Sequence, residues 1–247
     1  MHVSLIGGGW SGVAAPAVFG PFLAAAAGVA HDAPPAIACL VVDEGDGTAA
    51  FARFATPLGG AGPCSPFPVL VPVGSTLDIA ALDDAHGLLV CGGLTPAYAA
   101  ALAPAREALV GMLHERGVPY AGFSAGAAVA AGRAVVGGWL HRGVAVCPED
   151  AGEDLEEVTV VAGLGLVDWS VEVHAAQWGT VPRLRAALSD MPPGAAGVAV
   201  DEDTVVIVDG GCVSVRGLGS VTALRVDSDG VVGAIDPGSL LSAGRER

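Results

Sequence analysis

The pentapeptide Gly122-Phe123-Ser124-Ala125-Gly126 follows an apolar run, Val118–Gly122, and leads into an alanine-rich run, Ala125–Ala131. This is the G-x-S-x-G pattern of a nucleophile elbow, a serine held on a sharp turn between a strand and a helix. The glycines remove side chains that would crowd the turn, the turn exposes the serine oxygen, and the helix start offers a positive dipole and a free backbone N–H. Attack on an acyl carbon is the chemistry this favours, and it needs a base. Of the six histidines, His2, His31, His86 and His114 precede the elbow in segments that read as terminus, turn or helix surface. His141 and His174 follow it, and His174 has an apolar, strand-like approach leading into a helix candidate. No histidine lies beyond His174, so an order of serine, acid, histidine would have to use Asp168 or Glu172, both too close to His174 in the chain. The order serine, histidine, acid remains, with the acid in Asp201-Glu202-Asp203 between the apolar runs Val198–Val200 and Val205–Val208. Taken alone, such a triplet reads as a solvated hairpin turn; between two strongly apolar strands it is a defined corner.

The elements that must position these residues alternate along the chain. Val3–Ile6, Ala36–Val42, Val69–Val71, Leu88–Cys91 and Val118–Gly122 are short, continuously apolar runs, as expected of a parallel sheet covered on both faces. Helices are expected over 14–28 and 95–116, the second opened by Thr95-Pro96, a cap followed by a proline in the first turn. The Gly- and Pro-rich stretch 56–68 reads as a loop. Residues 133–173 read as short strands and turns, with the acidic segment Glu149–Glu157 a solvated loop and Val181–Ser189 a short helix. Cys212–Val215 and Val221–Val226 read as antiparallel strands. With no repeat and no linker, the expectation is one α/β domain over 1–247, a three-layer α/β/α arrangement on a mostly parallel sheet, with antiparallel strands in the C-terminal half.

Composition narrows the partners. Hydrophobic residues make up 52% of 247 and charged residues 15%, which excludes disorder. The formal charge of −15, from 11 basic and 26 acidic residues, argues against nucleic acid and anionic membrane surfaces, both of which require clustered Lys and Arg. Small substrates, neutral or cationic, fit better. Five widely spaced cysteines without a C-x-x-C suggest neither a zinc site nor a disulfide framework, and a reducing cytoplasm is expected. The apolar stretch Gly12–Ala30 is about long enough to cross a bilayer, but its Ala/Gly composition and its two prolines read as a helix of the α/β repeat.

The paired Gly92-Gly93, the elbow at Ser124, His174 and the run Val198-Ala199-Val200-Asp201-Glu202-Asp203-Thr204 together resemble the peptidase E and cyanophycinase family of serine peptidases. The resemblance extends from the Gly7-Gly8-Gly9 turn to about residue 208. It implies a glutamine-amidotransferase-like (flavodoxin-like) fold and a hydrolytic domain that cleaves a small peptide or amide without metal or organic cofactor. A homodimer is compatible with it. Ser124 would be the nucleophile, His174 the base and Glu202 its orienting acid, with the N–H groups of Gly93 and Ala125 as the oxyanion hole. Leu94, Gln177 and Trp178 fall where the family contacts substrate. The sequence departs from the pattern there: Leu94 replaces an Asn or Asp, and Trp178 and Thr180 stand where arginines are expected, while Arg183 and Leu184 match. Without those arginines, recognition of an acidic substrate side chain does not carry over.

Two other readings are compatible with the residues. Gly7-Gly8-Gly9-Trp10-Ser11-Gly12 matches the dinucleotide fingerprint G-x-G-x-x-G, with Asp43 and Glu44 closing the next strand where a ribose-binding acid would sit, as in a nucleotide-binding oxidoreductase. The altered substrate positions also suit a catalytically silent binding protein on the same fold.

Overall fold

The computed structural model describes residues 1–31 and 33–244. Its first half alternates strand and helix: β1 (Val3–Ile6), α1 (Ala15–Ala30), β2 (Ala36–Asp43), α2 (Gly47–Ala61), β3 (Ser65–Pro72), β4 (Gly87–Val90), α3 (Thr95–Leu102), α4 (Arg106–Arg116), β5 (Tyr120–Phe123) and α5 (Ala125–Val129). The second half is richer in strands: β6 (Arg133–Gly137), β7 (Leu140–His141), β8 (Val144–Ala145), β9 (Thr159–Ala162), β10 (Ser170–Glu172), α6 (Ala175–Trp178), α7 (Val181–Ser189), β11 (Ala196–Val200), β12 (Thr204–Asp209), β13 (Cys212–Gly217), β14 (Val221–Val226) and β15 (Val232–Ile235). A seven-stranded sheet runs β13-β12-β1-β5-β4-β2-β3. Its pairs from β1 to β3 are parallel, and β12 and β13 join antiparallel.

Alternate residues of the parallel strands enter two cores. Ile6, Ile37, Cys39, Leu89 and Phe123 face α1 and α2. Leu5, Leu40, Leu88 and Val90 face α3 and α4 through Tyr98, Leu102, Leu109 and Leu113. Burial on both faces is the reason these strands read as unbroken apolar runs. A second, four-stranded sheet, β10-β11-β14-β15, stands beyond the elbow helix. The expected three-layer, mostly parallel α/β architecture is therefore present, and Gly12–Ala30 is largely a helix whose Val18, Phe19, Phe22 and Leu23 pack against the sheet. No helix among the described residues is long and apolar enough to cross a membrane.

Several local expectations change. The stretch 56–68 is not a loop: α2 continues to Ala61 through Pro57, and β3 starts at Ser65. Burial of Phe54 and Leu58 holds that helix despite its proline and glycines, a tertiary override of propensity. The helix expected over 95–116 is broken by a 3₁₀ turn at Ala103–Ala105, where Pro104 has no N–H to donate. The segment 149–157 is not simply solvated, since Ala151 and Gly152 are buried and Glu153 is half-buried. Finally, β11 and β12 are not a hairpin. They lie in different sheets, and Asp201–Asp203 is the crossing between them.

Candidate active site

The elbow is built by close backbone packing. A side chain at Gly122 would meet the Gly126 carbonyl at 2.3 Å, and one at Gly126 would meet the Val90 carbonyl at 2.1 Å, so neither position admits a Cβ. Ser124 has φ +52°, a region that costs a non-glycine residue about 1–3 kcal/mol and persists only where the surroundings enforce it. Both tyrosines of the chain supply part of that enforcement. The Tyr120 hydroxyl donates to the Gly126 carbonyl at 2.6 Å, and Tyr98 donates to the Gly92 carbonyl at 3.1 Å. Burial raises the pKa of both phenols, which keeps them protonated as donors.

From that elbow Ser124 Oγ lies 2.8 Å from His174 Nε2, and His174 Nδ1 lies 2.7 Å from Glu202 Oε1. The serine and histidine are each only 7% exposed. Burial lowers the His174 pKa from its ordinary value, the Glu202 and Glu172 carboxylates opposing that shift only in part, so the imidazole is neutral at pH 7 with Nε2 free to accept a proton. A neutral imidazole between a hydroxyl and a carboxylate can deprotonate the hydroxyl and be stabilised as it becomes charged.

Three separate segments meet here, and the N-terminal glycine turn aligns them. Successive carbonyls of Ile6, Gly7 and Gly8 accept the N–H groups of Ser124 (2.9 Å), His174 (2.8 Å) and Asp203 (2.8 Å). Asp203 also accepts Ser11 N–H at 2.9 Å. A Cβ at Gly8 would lie 2.1 Å from His174 Cε1, one at Gly7 would lie 2.3 Å from the Asp201 carbonyl, and one at Gly9 would lie 2.5 Å from Asp203. At Gly9, the fingerprint glycine that would let a pyrophosphate approach, the space is taken by Asp203. Asp43, read as a ribose ligand, instead accepts the N–H groups of Gly45 and Gly47 at 2.7 Å and sets the start of α2.

The remaining expected positions divide. Gly93 and Leu94 line a cavity of about 740 Å³ that contains Ser124 and His174, and Ala125 follows the serine at the start of α5. Trp178 lines the same cavity and stacks on the His174 ring, centroids 4.0 Å apart and planes within 8°. Gln177 is not among the lining residues; its side-chain oxygen accepts Glu202 N–H at 3.0 Å and steadies the acid from behind. Thr180 is fully buried, its hydroxyl donating to the Val173 carbonyl. Arg183 is also buried, bound to Glu172 through two contacts of 2.7 and 2.8 Å and to the Ala151 carbonyl. That pair explains Glu172: it is a structural partner of Arg183, not of the imidazole. His2, His86, His114 and His141 bond elsewhere, His141 to Asp190 and His2 to Ser4, for example. Sequence reasoning passed over Tyr98, Tyr120 and the acidic cavity wall, since nothing in their local spacing marks them. Among the described residues no group of three His, Cys, Asp or Glu side chains is placed to hold a metal ion.

Fold and site together define a mixed α/β protein with a serine, histidine and glutamate linked by hydrogen bonds, the first two lining a cavity. The fold is similar to that of a candidate peptidase E protein from Listeria monocytogenes EGD-e, a crystal structure matched with a TM-score of 0.54 at 14% sequence identity, over 88% of this chain and 98% of that one. No family model matches the sequence, and no curated protein matches it.

Proposed function

We propose that this protein is a serine-type peptidase or amidohydrolase acting on a small peptide or amide. The observation that carries this reading is the unbroken hydrogen-bond chain from Ser124 through His174 to Glu202, its serine and histidine lining the cavity. Ser124 Oγ attacks the carbonyl carbon while its proton passes to His174 Nε2, and Glu202 holds the Nδ1–H and stabilises the imidazolium. The oxyanion of the tetrahedral intermediate takes hydrogen bonds from the N–H groups of Gly93 and Ala125. Collapse of the intermediate breaks the C–N bond, and the departing amine takes the proton back from Nε2. Water, deprotonated by the same nitrogen, then attacks the acyl-serine, releasing the acid and restoring the hydroxyl. The likeness to a candidate peptidase E protein supports this reading at the level of fold.

A fluorophosphonate probe tests it. The parent protein is expected to take one label, mapping to Ser124 by peptide mass spectrometry, and Ser124→Ala none. A parent that stays unlabelled and hydrolyses no member of a dipeptide library would favour a silent binding protein on this fold.

A further inference from the structure

The cavity over Ser124 has an unusual wall. Glu44 and Asp46 line it from the end of β2, and Glu149, Asp150, Glu153, Asp154 and Glu156 line it from the segment between β8 and β9. Seven of its 23 lining residues are acidic, against 26 of 247 in the whole chain, about a threefold enrichment. None of the seven takes part in an ion pair among the described residues. Among the described residues the cavity lining holds one arginine, Arg53, against these seven carboxylates.

A solvated acidic face would not be interleaved with large aromatics. Here Trp10, Phe54, Phe123, Trp139 and Trp178 share the wall, including three of the chain's four tryptophans. Arg53 already lies over the Trp10 ring, its Cζ 4.8 Å from the centroid, so one aromatic face of this cavity engages a guanidinium within the fold itself. Glu153 adds a further constraint: burial raises its pKa, and its carboxylate accepts Thr95 N–H at 2.9 Å beside the Gly92-Gly93 loop. A cation arriving near it would relieve a desolvated negative charge. Of the other arginines that could receive a substrate carboxylate, Arg133, Arg142 and Arg183, none lines the cavity, and Arg142 and Arg183 are bound to Asp190 and Glu172.

We infer that the hydrolase proposed above takes a peptide or amide bearing a cationic side chain, an ammonium or guanidinium, held between these carboxylates and aromatic faces, and that it disfavours free carboxylates near the scissile bond. This rests on the serine-hydrolase reading for its chemistry, but binding can be tested without chemistry. Calorimetric titration of Ser124→Ala with N-acetyl-lysine amide, N-acetyl-norleucine amide and N-acetyl-aspartate amide compares charges of +1, 0 and −1 at similar size. The lysine compound is expected to bind about 10-fold more tightly than the norleucine one, and the aspartate compound more weakly than both, with the lysine advantage shrinking at high salt. For the parent protein, kcat/KM over X-Leu-amide and Leu-X-amide dipeptides is expected to rank lysine above norleucine above aspartate in one of the two series. Glu44→Gln/Asp46→Asn and Asp150→Asn/Asp154→Asn are expected to lower the lysine-to-norleucine ratio about 3-fold or more, a ratio that general loss of folded protein leaves unchanged. Equal or tighter binding of the neutral or acidic compound by Ser124→Ala overturns the inference whether or not the parent hydrolyses anything. Failure of the fluorophosphonate to label Ser124, with the lysine preference intact, overturns the hydrolase reading alone.

Discussion

Two glycine-rich turns, one after β1 and one after β5, have the same outline: strand, glycines, helix. At the elbow the glycines let backbone approach backbone, Gly122 against Gly126 and Gly126 against Val90, and the product is a serine turned toward the cavity and His174. At the N-terminal turn they let other segments approach, with His174 over Gly8 and Asp203 against Gly9, and the product is alignment of residues some 120 to 200 positions away. A glycine motif therefore reports close approach without saying what approaches. A phosphate, a carbonyl and a catalytic ring leave the same mark in sequence.

The largest effect that would test this contrast is at the elbow. Ser124→Ala is expected to lower kcat/KM by about 10³-fold or more with the thermal midpoint nearly unchanged, since only the reacting oxygen is removed. Turnover close to the parent's would remove the serine from the mechanism.

At the other turn, Gly8→Ala is expected to cost about 100-fold in kcat/KM, because a Cβ there displaces the imidazole and misplacements of about 1 Å carry penalties of that order. The same substitution at a φ of +110° also strains the backbone, so a lower thermal midpoint is expected alongside. Retained activity with His174 still in place would show that the turn does not position the base.

Trp178→Ala, which removes the ring stacked on His174, is expected to lower kcat by about 3- to 30-fold, with Trp178→Phe restoring most of it. An alanine variant as fast as the parent would make the stack incidental.

The pH profile gives a further check. The active form is the neutral imidazole, so activity is present above the His174 pKa and falls as pH drops through it. Because burial depresses that pKa, the acid limb of kcat/KM is expected below 6.5. A limb at or above 6.5 would mean that the carboxylates around the ring outweigh burial.

The smallest effect sharpens the comparison most. Gly12, the third glycine of the fingerprint, has nothing within 4 Å of a built Cβ. Gly12→Ala is expected to change activity and stability by less than about twofold and 0.5 kcal/mol. A severe loss there, with NAD binding by the parent, would return the turn to a nucleotide.

Much of this protein is determined by local sequence. Continuous apolar runs are readable because strands buried on both faces have no polar alternation, and the elbow is readable because its strand, turn and helix are contiguous. The order of Ser124, His174 and the acidic corner is likewise a property of the chain. Other features exist only once the chain is folded. Pro57 sits inside a helix because Phe54 and Leu58 gain more from the core than the proline costs. Glu202, not Asp201 or Asp203, reaches the imidazole because β11 and β12 belong to different sheets and the crossing between them points one carboxylate inward while Ala176, Ser220 and Ser11 take the others. Arg183 matches the family pattern yet is consumed by Glu172, and the segment 149–157 is acidic in sequence but becomes a cavity wall only when it folds across the loop holding Gly92 and Gly93. Hydrogen bonds and ion pairs act through space over a few ångströms. Partners separated by tens or hundreds of residues therefore leave no periodicity or spacing in the chain from which to read them.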